Sequence, residues 1–337
     1  MSDERVKRTR NCSVDIIINN HNYGEFVAEA IESGLAQEYQ RCVVTVVDDG
    51  STDNSADVLA RYRDRVTVIS KPKGGQASAV NAGIDASVGD LVLFLDADDL
   101  LDPGLVPRVV EAFQRQPETA KVQFPLRRSD RLGNPMPGFV PAKPERMRQG
   151  DVREALVRYN DDLAWSPMSG NAYPRWVLER IMPIPTEDYP TIGADIYLIN
   201  LAPLYGPVIS LTGPGGSYRV HGRNADFRPD YDRERSARIV ELSHVTHGHI
   251  ARHAHDLDLA VPVEGVGAES VTLLAQEMAL ASFGADRRFS TARCGLWAIR
   301  RRHDLSMRTR VTYAGWMIVM AIAPKSVART IARLTWR

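Results

Sequence analysis

Short apolar runs alternate with amphipathic stretches along the first hundred residues, and each run ends in polar groups. Ser13 to Asn19 is β-branched, and after it Phe26, Ala30, Ile31 and Leu35 fall near helical spacing, so the unit reads strand, loop, helix. Val43 to Val47 repeats the pattern, followed by a helix from about Asn54 to Arg63. Val66 to Ile69 is a third short strand, and a helix over Ala77 to Ala86 follows. Leu91 to Leu95 is five bulky apolar residues in succession, which suits a strand covered on both faces, and Asp102-Pro103 opens a helix over Gly104 to Gln116. Four such units predict an α/β chain with a doubly wound, mostly parallel sheet and helices on both faces. Ligands bind such sheets beyond the carboxyl ends of the strands, which is where the polar clusters stand.

The residue types in those clusters suggest chemistry. Asp96, Asp98 and Asp99 crowd three carboxylates into four residues at a strand end; they repel, and a cation that also carries a phosphorylated substrate would neutralise them. A solvated acidic turn capping the next helix is the plainer alternative. Asp48 and Asp49 end the second strand; a helix cap explains Ser51 or Asp53 but hardly both acids, and carboxylates there can accept hydrogen bonds from ribose or base. Gly74-Gly75 before a helix lets backbone N–H groups approach phosphate, although a plain loop explains it as well. Neither the Gly-x-Gly-x-x-Gly fingerprint nor a Walker loop occurs, which counts against a dehydrogenase or a kinase-like ATPase. Further on, Asp195 is the one acid in an apolar helical run from Ile192 to Leu204, a placement that asks for partners or for a function. Its rivals Glu187 and Asp188 lie in a Pro-rich loop.

Charge changes the picture at one end only. The chain has 42 basic and 42 acidic residues among 337, which argues against a nucleic-acid binder acting through bulk charge. From Arg293 onward, however, ten Arg or Lys face a single acid, Asp304. Within this tail Tyr313 to Ala323 is uncharged but too short to span a bilayer. Beyond it Val327, Ile331 and Leu334 share a helical face, with Arg329, Arg333 and Arg337 supplying charge and Trp336 at the end. A peripheral contact with anionic lipid and packing on protein, including a homodimer, are both open readings. Cys12, Cys42 and Cys294 have no disulfide or zinc spacing, and the charged segment 1–12 lacks a signal-peptide core, so a cytoplasmic protein is expected. His244, His247, His249, His253 and His255 are explained by a soluble helix rather than by a metal site.

Four stretches carry a resemblance. Ile17-Ile18-Asn19-Asn20-His21-Asn22-Tyr23, Val46-Val47-Asp48-Asp49-Gly50-Ser51, the segment Gly75 to Ile84, and Leu95-Asp96-Ala97-Asp98-Asp99 resemble, in order and spacing, the inverting family 2 glycosyltransferases of the GT-A fold. The resemblance covers roughly residues 13–225. It implies a nucleotide-binding half over 13–102, an acceptor half over 103–225, and leaves 226–337 as a helical C-terminal region whose basic amphipathic tail is 308–337. It places Asn19, His21, Asp48 and Asp49 around base and ribose, with Asp49 on the base edge; the family usually has Tyr where His21 stands. Gly75, Asn81, Asp96 and Arg219 join the donor site. Asp98 would coordinate Mg²⁺ or Mn²⁺, with Asp96, Asp99 and, from the stretch Tyr218-Arg219-Val220-His221, His221 as further ligands. Trp165 and Asn171 fall in the acceptor segment, and Asp195 becomes the general base. The implied donor is a nucleotide-diphosphate sugar, UDP first, and the acceptor a glycan or lipid-linked hydroxyl in bacterial surface polysaccharide or glycolipid synthesis. A sugar nucleotidyltransferase and a non-catalytic nucleotide-binding relative are the alternatives. Phe124 to Asn160, rich in Arg, Pro and Gly, is expected to be a variable excursion without chemistry.

Overall fold

A computed structural model describes residues 12–222, 233–284 and 287–335. Residues 1–11 of the charged leading segment, Arg223 and Asn224, and Trp336 and Arg337 of the tail lie outside the described residues. In chain order the strands and α-helices are β1 (Val14–Asn20), α1 (Val27–Leu35), β2 (Cys42–Asp49), α2 (Ser55–Ala60), β3 (Thr67–Lys71), α3 (Gln76–Asp85), β4 (Leu91–Asp96), β5 (Leu100–Leu101) and α4 (Leu105–Arg115). There follow β6 (Lys121–Gln123), β7 (Leu126–Ser129), β8 (Pro135–Val140), α5 (Arg153–Tyr159), β9 (Asn171–Pro174), α6 (Arg175–Ile181), α7 (Ala194–Leu201), β10 (Val208–Ser210) and β11 (Gly216–Arg219). The remaining helices are α8 (Arg233–Asp256), α9 (Val271–Ala281), α10 (Arg288–Arg301), α11 (Met307–Ile322) and α12 (Lys325–Thr335).

Two compact units result, the first from residues up to 152 together with 164–221. Its main sheet has the order β10-β6-β9-β4-β1-β2-β3 and is parallel except for β9, which runs antiparallel to β4 and β6. Alternation along β1 and β4 explains why both faces are covered. Ile16, Ile18, Leu93 and Leu95 pack with Val27 and Ile31 of α1 and with Val106, Val109 and Phe113 of α4. Ile17 points to the opposite face, where a Cβ on Gly83 of α3 would lie 2.4 Å from it, so only glycine lets α3 sit that close. Burying each such Val, Leu, Ile or Phe contributes about 1.5–3 kcal/mol, which makes these central strands the stable platform for the loops above them.

The register then sets the crevice. Asn19 stands opposite Asp96 on one side and Val47 on the other, and Asn20 stands opposite Asp48. The expected excursion after Phe124 is ordered: β7 and β8 join β5 and β11 in a second sheet of order β5-β11-β7-β8. This sheet carries Arg219 at the end of β11.

The second unit combines residues 153–163 with the chain beyond 221. Its core gathers Leu274 and Met278 of α9, Ala298 and Ile299 of α10, Met317 and Met320 of α11, and Ala328 and Ala332 of α12. Buried charges in it are paired. Glu269, fully buried, accepts from Arg158 at 2.7 Å and from Arg301 at 2.7 Å, and Arg302 pairs with Asp162 and lies 3.7 Å over the Tyr159 ring. Among the described residues, no helix is long and apolar enough to cross a membrane.

Candidate functional site

β4 delivers the acidic cluster to the end of the sheet, and His221, two residues beyond β11, meets it there. His221 Nε2 lies 2.8 Å from Asp98 Oδ2. The imidazole is held by rings from the loop after β1: it stacks on Phe26 at 5.1 Å and meets Tyr23 edge-on at 5.6 Å. Asp99 is buried, and burial first, then the charges of Asp98 and Asp96, push its carboxyl well above the usual range. One of its oxygens accepts from the Arg219 backbone N–H at 3.0 Å, and the other is buried with no hydrogen-bond partner among the described residues. The Asp96 N–H donates to Ser169 Oγ at 3.0 Å, which fixes the start of the turn.

Carboxylate oxygens with one imidazole are a donor set that Mg²⁺ or Mn²⁺ accepts. The crowding of Asp96, Asp98 and Asp99 and the orphaned Asp99 oxygen fit a cation. Among the described residues no group of three or more His, Cys, Asp or Glu side chains is placed to hold a metal ion by itself, so a bound cation would need oxygens from a substrate.

Next to this turn, the Asn19 side chain is shielded from solvent, and both its amide nitrogen and its oxygen lack a hydrogen-bond partner among the described residues. An unmet buried amide costs about 1–3 kcal/mol, which a ligand placed at the strand end would recover. Asp48 accepts from Asn20 Nδ2 at 2.8 Å and from Ser51 Oγ at 2.5 Å. Asp49 accepts from Lys71 Nζ at 2.6 Å, from Gly74 N–H at 2.9 Å and from Gly75 N–H at 2.7 Å. His21 Nδ1 is 2.9 Å from the Asp49 carbonyl oxygen, so the first and second strand ends are tied together.

Three expected ligand contacts are engaged elsewhere. Arg219 is buried; its guanidinium donates to Glu29 at 2.6 Å, to the Asp98 carbonyl at 3.0 Å and to the Arg131 carbonyl at 2.9 Å, and it lies 4.8 Å over Phe26. Through these bonds it braces the acidic turn. Asn81 exchanges two hydrogen bonds with the backbone of Ile184, each 2.9 Å. Asn171 is fully buried and its amide donates to the Ser166 and Pro167 carbonyls, shaping the turn that follows Trp165.

Trp165 is half-buried, with Lys121 Nζ 3.8 Å from its ring centre; burial holds the Lys121 ammonium well below its ordinary pKa. Asp195 is half-buried in the first turn of α7, directly after Gly193 at φ +100°. The preceding segment touches the loop before α3: Gln76 N–H donates to the Thr191 carbonyl, and a Cβ on Gly75 would lie 2.0 Å from the Pro190 oxygen. Sequence reasoning passed over Glu29, Lys71 and Ser169. Lys71 had a readable signal, because a β3 strand extended to it places it opposite Asp49; Glu29 and Ser169 had none.

On α8, His244 pairs with Glu277 of α9 at 2.8 Å and His247 with Asp161 at 2.9 Å.

Residues 15–164 match the model of a family described as Glycosyl transferase family 2. An uncharacterized glycosyltransferase of Nostoc sp. is 34% identical over 216 residues, 63% of this chain and 66% of that protein. The chain spans 36% and 32% of the next two sequence relatives. Among solved structures, S. aureus TarS 1–349 in complex with UDP-GlcNAc aligns with a TM-score of 0.55 at 14% identity, over 95% of this chain and 90% of that one. A mannosyltransferase from Pyrobaculum calidifontis, in complex with GDP-Man and Mn²⁺, aligns at 0.50 and 18% identity over 98% and 90%. These two share the GT-A fold with the chain.

Proposed function

This chain belongs to glycosyl transferase family 2, and from that premise we propose that it transfers one sugar from a nucleotide-diphosphate sugar to an acceptor hydroxyl with inversion. The observation that carries the reading is the meeting of Asp98 and His221 at the end of β4, beside the unpartnered amide of Asn19. The neighbours that carry UDP-GlcNAc and GDP-Man support the donor class, with UDP the first choice of base.

Asp98, His221 and Asp96, with Asp99 in support, would hold Mg²⁺ or Mn²⁺, which when bound supplies positive charge to a leaving nucleoside diphosphate. Asn19, His21, Asp48 and Asp49 would surround base and ribose. Asp195 would take the proton of the acceptor hydroxyl as its oxygen bonds the anomeric carbon and the bond to the diphosphate breaks on the opposite face, which inverts the centre. Trp165 would offer its ring to the acceptor. The acceptor is a glycan or a lipid-linked saccharide of a bacterial surface polymer, reached from the cytoplasmic face of a membrane.

A thermal-shift panel of UDP, GDP, dTDP and CDP, with Mn²⁺ or with EDTA, tests the donor site without knowledge of the acceptor. A metal-dependent shift with one nucleotide is expected. Absence of any shift under every condition would remove the donor-site reading.

A further inference from the structure

We infer that α11 and α12 dock this protein flat on an anionic lipid surface. α11 buries Met317, Met320 and Ala321 against the helical core. Its opposite face is apolar and exposed: Met307 at 71%, Val311 at 63%, Ile318 at 47%, Val319 at 45% and Ile322 at 69%. Their spacing of four, seven, one and three residues draws one stripe along the whole helix, about 24 Å long at ~1.5 Å per residue. A folded domain rarely leaves such a stripe to water without a use for it. Trp316 Nε1 donates to Thr335 Oγ1 at 3.3 Å, which ties α12 to α11. α12 buries only Ala328 and Ala332, and exposes Val327 and Leu334 on one flank with Lys325, Arg329 and Arg333 on the other.

The charge decides the occupant. Neither helix contains an acid, and Arg308, Lys325, Arg329 and Arg333 stand exposed on them, whereas Arg310 turns back to the Ile299 and Arg300 carbonyls and Arg329 also donates to the Ser282 carbonyl. A second copy seated on this face would bring like charges together. A lipid headgroup layer of negative charge complements them, while the apolar stripe enters the acyl boundary. The helices lie on the surface, since neither is long and apolar enough to span it. The inference gives a structural basis to the membrane-facing part of the functional reading, but it stands on the tail alone.

The test is sedimentation of the full chain with phosphatidylcholine vesicles, with and without phosphatidylglycerol, and with no donor or acceptor present. The wild type should pellet with the anionic vesicles, bind neutral ones at least about tenfold more weakly, and lose binding in raised salt. Ile318→Glu with Ile322→Glu, both exposed positions, should weaken anionic binding at least about tenfold while circular dichroism and the donor-induced thermal shift stay unchanged. Arg308→Glu with Arg333→Glu should do the same. No pelleting with anionic vesicles, equal binding to neutral ones, or indifference to the Ile318/Ile322 change would overturn the inference. So would light scattering that finds a dimer dissolved by that change, with no lipid binding.

Discussion

Arg219 and Glu29 form an ion pair 2.6 Å long between residues 190 apart in sequence, and the same guanidinium holds the carbonyl of Asp98. The arginine is 2% exposed and the glutamate 54%, so the pair is half in solvent and contributes less than a buried one. The larger effect of losing Arg219 is on the turn it braces. Arg219→Met should destabilise the protein by about 2–3 kcal/mol, because buried acceptors lose charged donors, whereas Glu29→Gln should cost under about 1 kcal/mol. Urea titrations of both variants measure this; equal losses would mean that the ion pair, not the turn, is what Arg219 serves.

The contact between His221 and Asp98 carries the next expectation. Asp98→Asn removes an anionic ligand without changing shape, so metal-dependent turnover should fall by at least about 10²-fold. His221→Gln should weaken apparent Mn²⁺ affinity by about 10–100-fold and leave nucleotide selectivity alone. Mn²⁺ titrations of the donor-induced thermal shift read both, and an unaltered Mn²⁺ midpoint in the two variants would remove these residues from the metal site.

Asp195 should separate binding from transfer. In Asp195→Asn the amide cannot accept the acceptor's proton, so transfer should fall by about 10²–10⁴-fold while the nucleotide shift is retained. A near-normal rate in this variant would reassign the base.

The parts of this site that local pattern reveals are those held by the central strands. β1, β2 and β4 were readable because each is a short β-branched or apolar run, and their ends bring Asn19, Asp48, Asp49 and Asp96 together by parallel register alone. The α2 helix was drawn to Arg63 but ends at Ala60. Contacts between distant segments were not readable. Local pattern does not show that the Asn81 amide bonds Ile184, 103 residues away, nor that Arg219 pairs with Glu29 of α1. The stretch after Phe124 reads as a loop because its strands are short and β7 takes its parallel partner from β11, about ninety residues further on.

The cysteines give a pH-dependent readout of the sheet edge. Cys42 is pushed up to about 12, by burial first and by the Asp15 charge second. A raised thiol pKa means less thiolate at every lower pH, so Cys42 should stay unreactive toward iodoacetamide from pH 7 to pH 10. Cys294 is exposed and should be alkylated readily at pH 8. Peptide mass spectrometry after alkylation checks both; labelling of Cys42 at pH 8 in the folded protein would contradict the raised thiol pKa.

Gly75 is where the loop before α3 and the segment leading to Asp195 are pressed together. Its φ of +86° disfavours any L side chain, and a Cβ would meet the Pro190 carbonyl at 2.0 Å, a backbone atom that yields only if the segment moves. Gly75→Ala should therefore cost about 2–4 kcal/mol, from the left-handed backbone and the clash together. The displacement has two directions with different signatures. If the Gly75 loop moves, the N–H donated to Asp49 at 2.7 Å is lost and nucleotide affinity falls. If residues 190–191 move, the start of α7 shifts and transfer slows with nucleotide affinity retained. The Asp49 carboxylate is also anchored by Lys71 and Gly74, whereas the 190–191 segment is exposed at Pro190 and Thr191, so the second outcome is expected. Donor-induced thermal shifts and transfer rates measured on the same preparation separate the two, and a variant as stable and as active as wild type would show that the close approach is not maintained in solution.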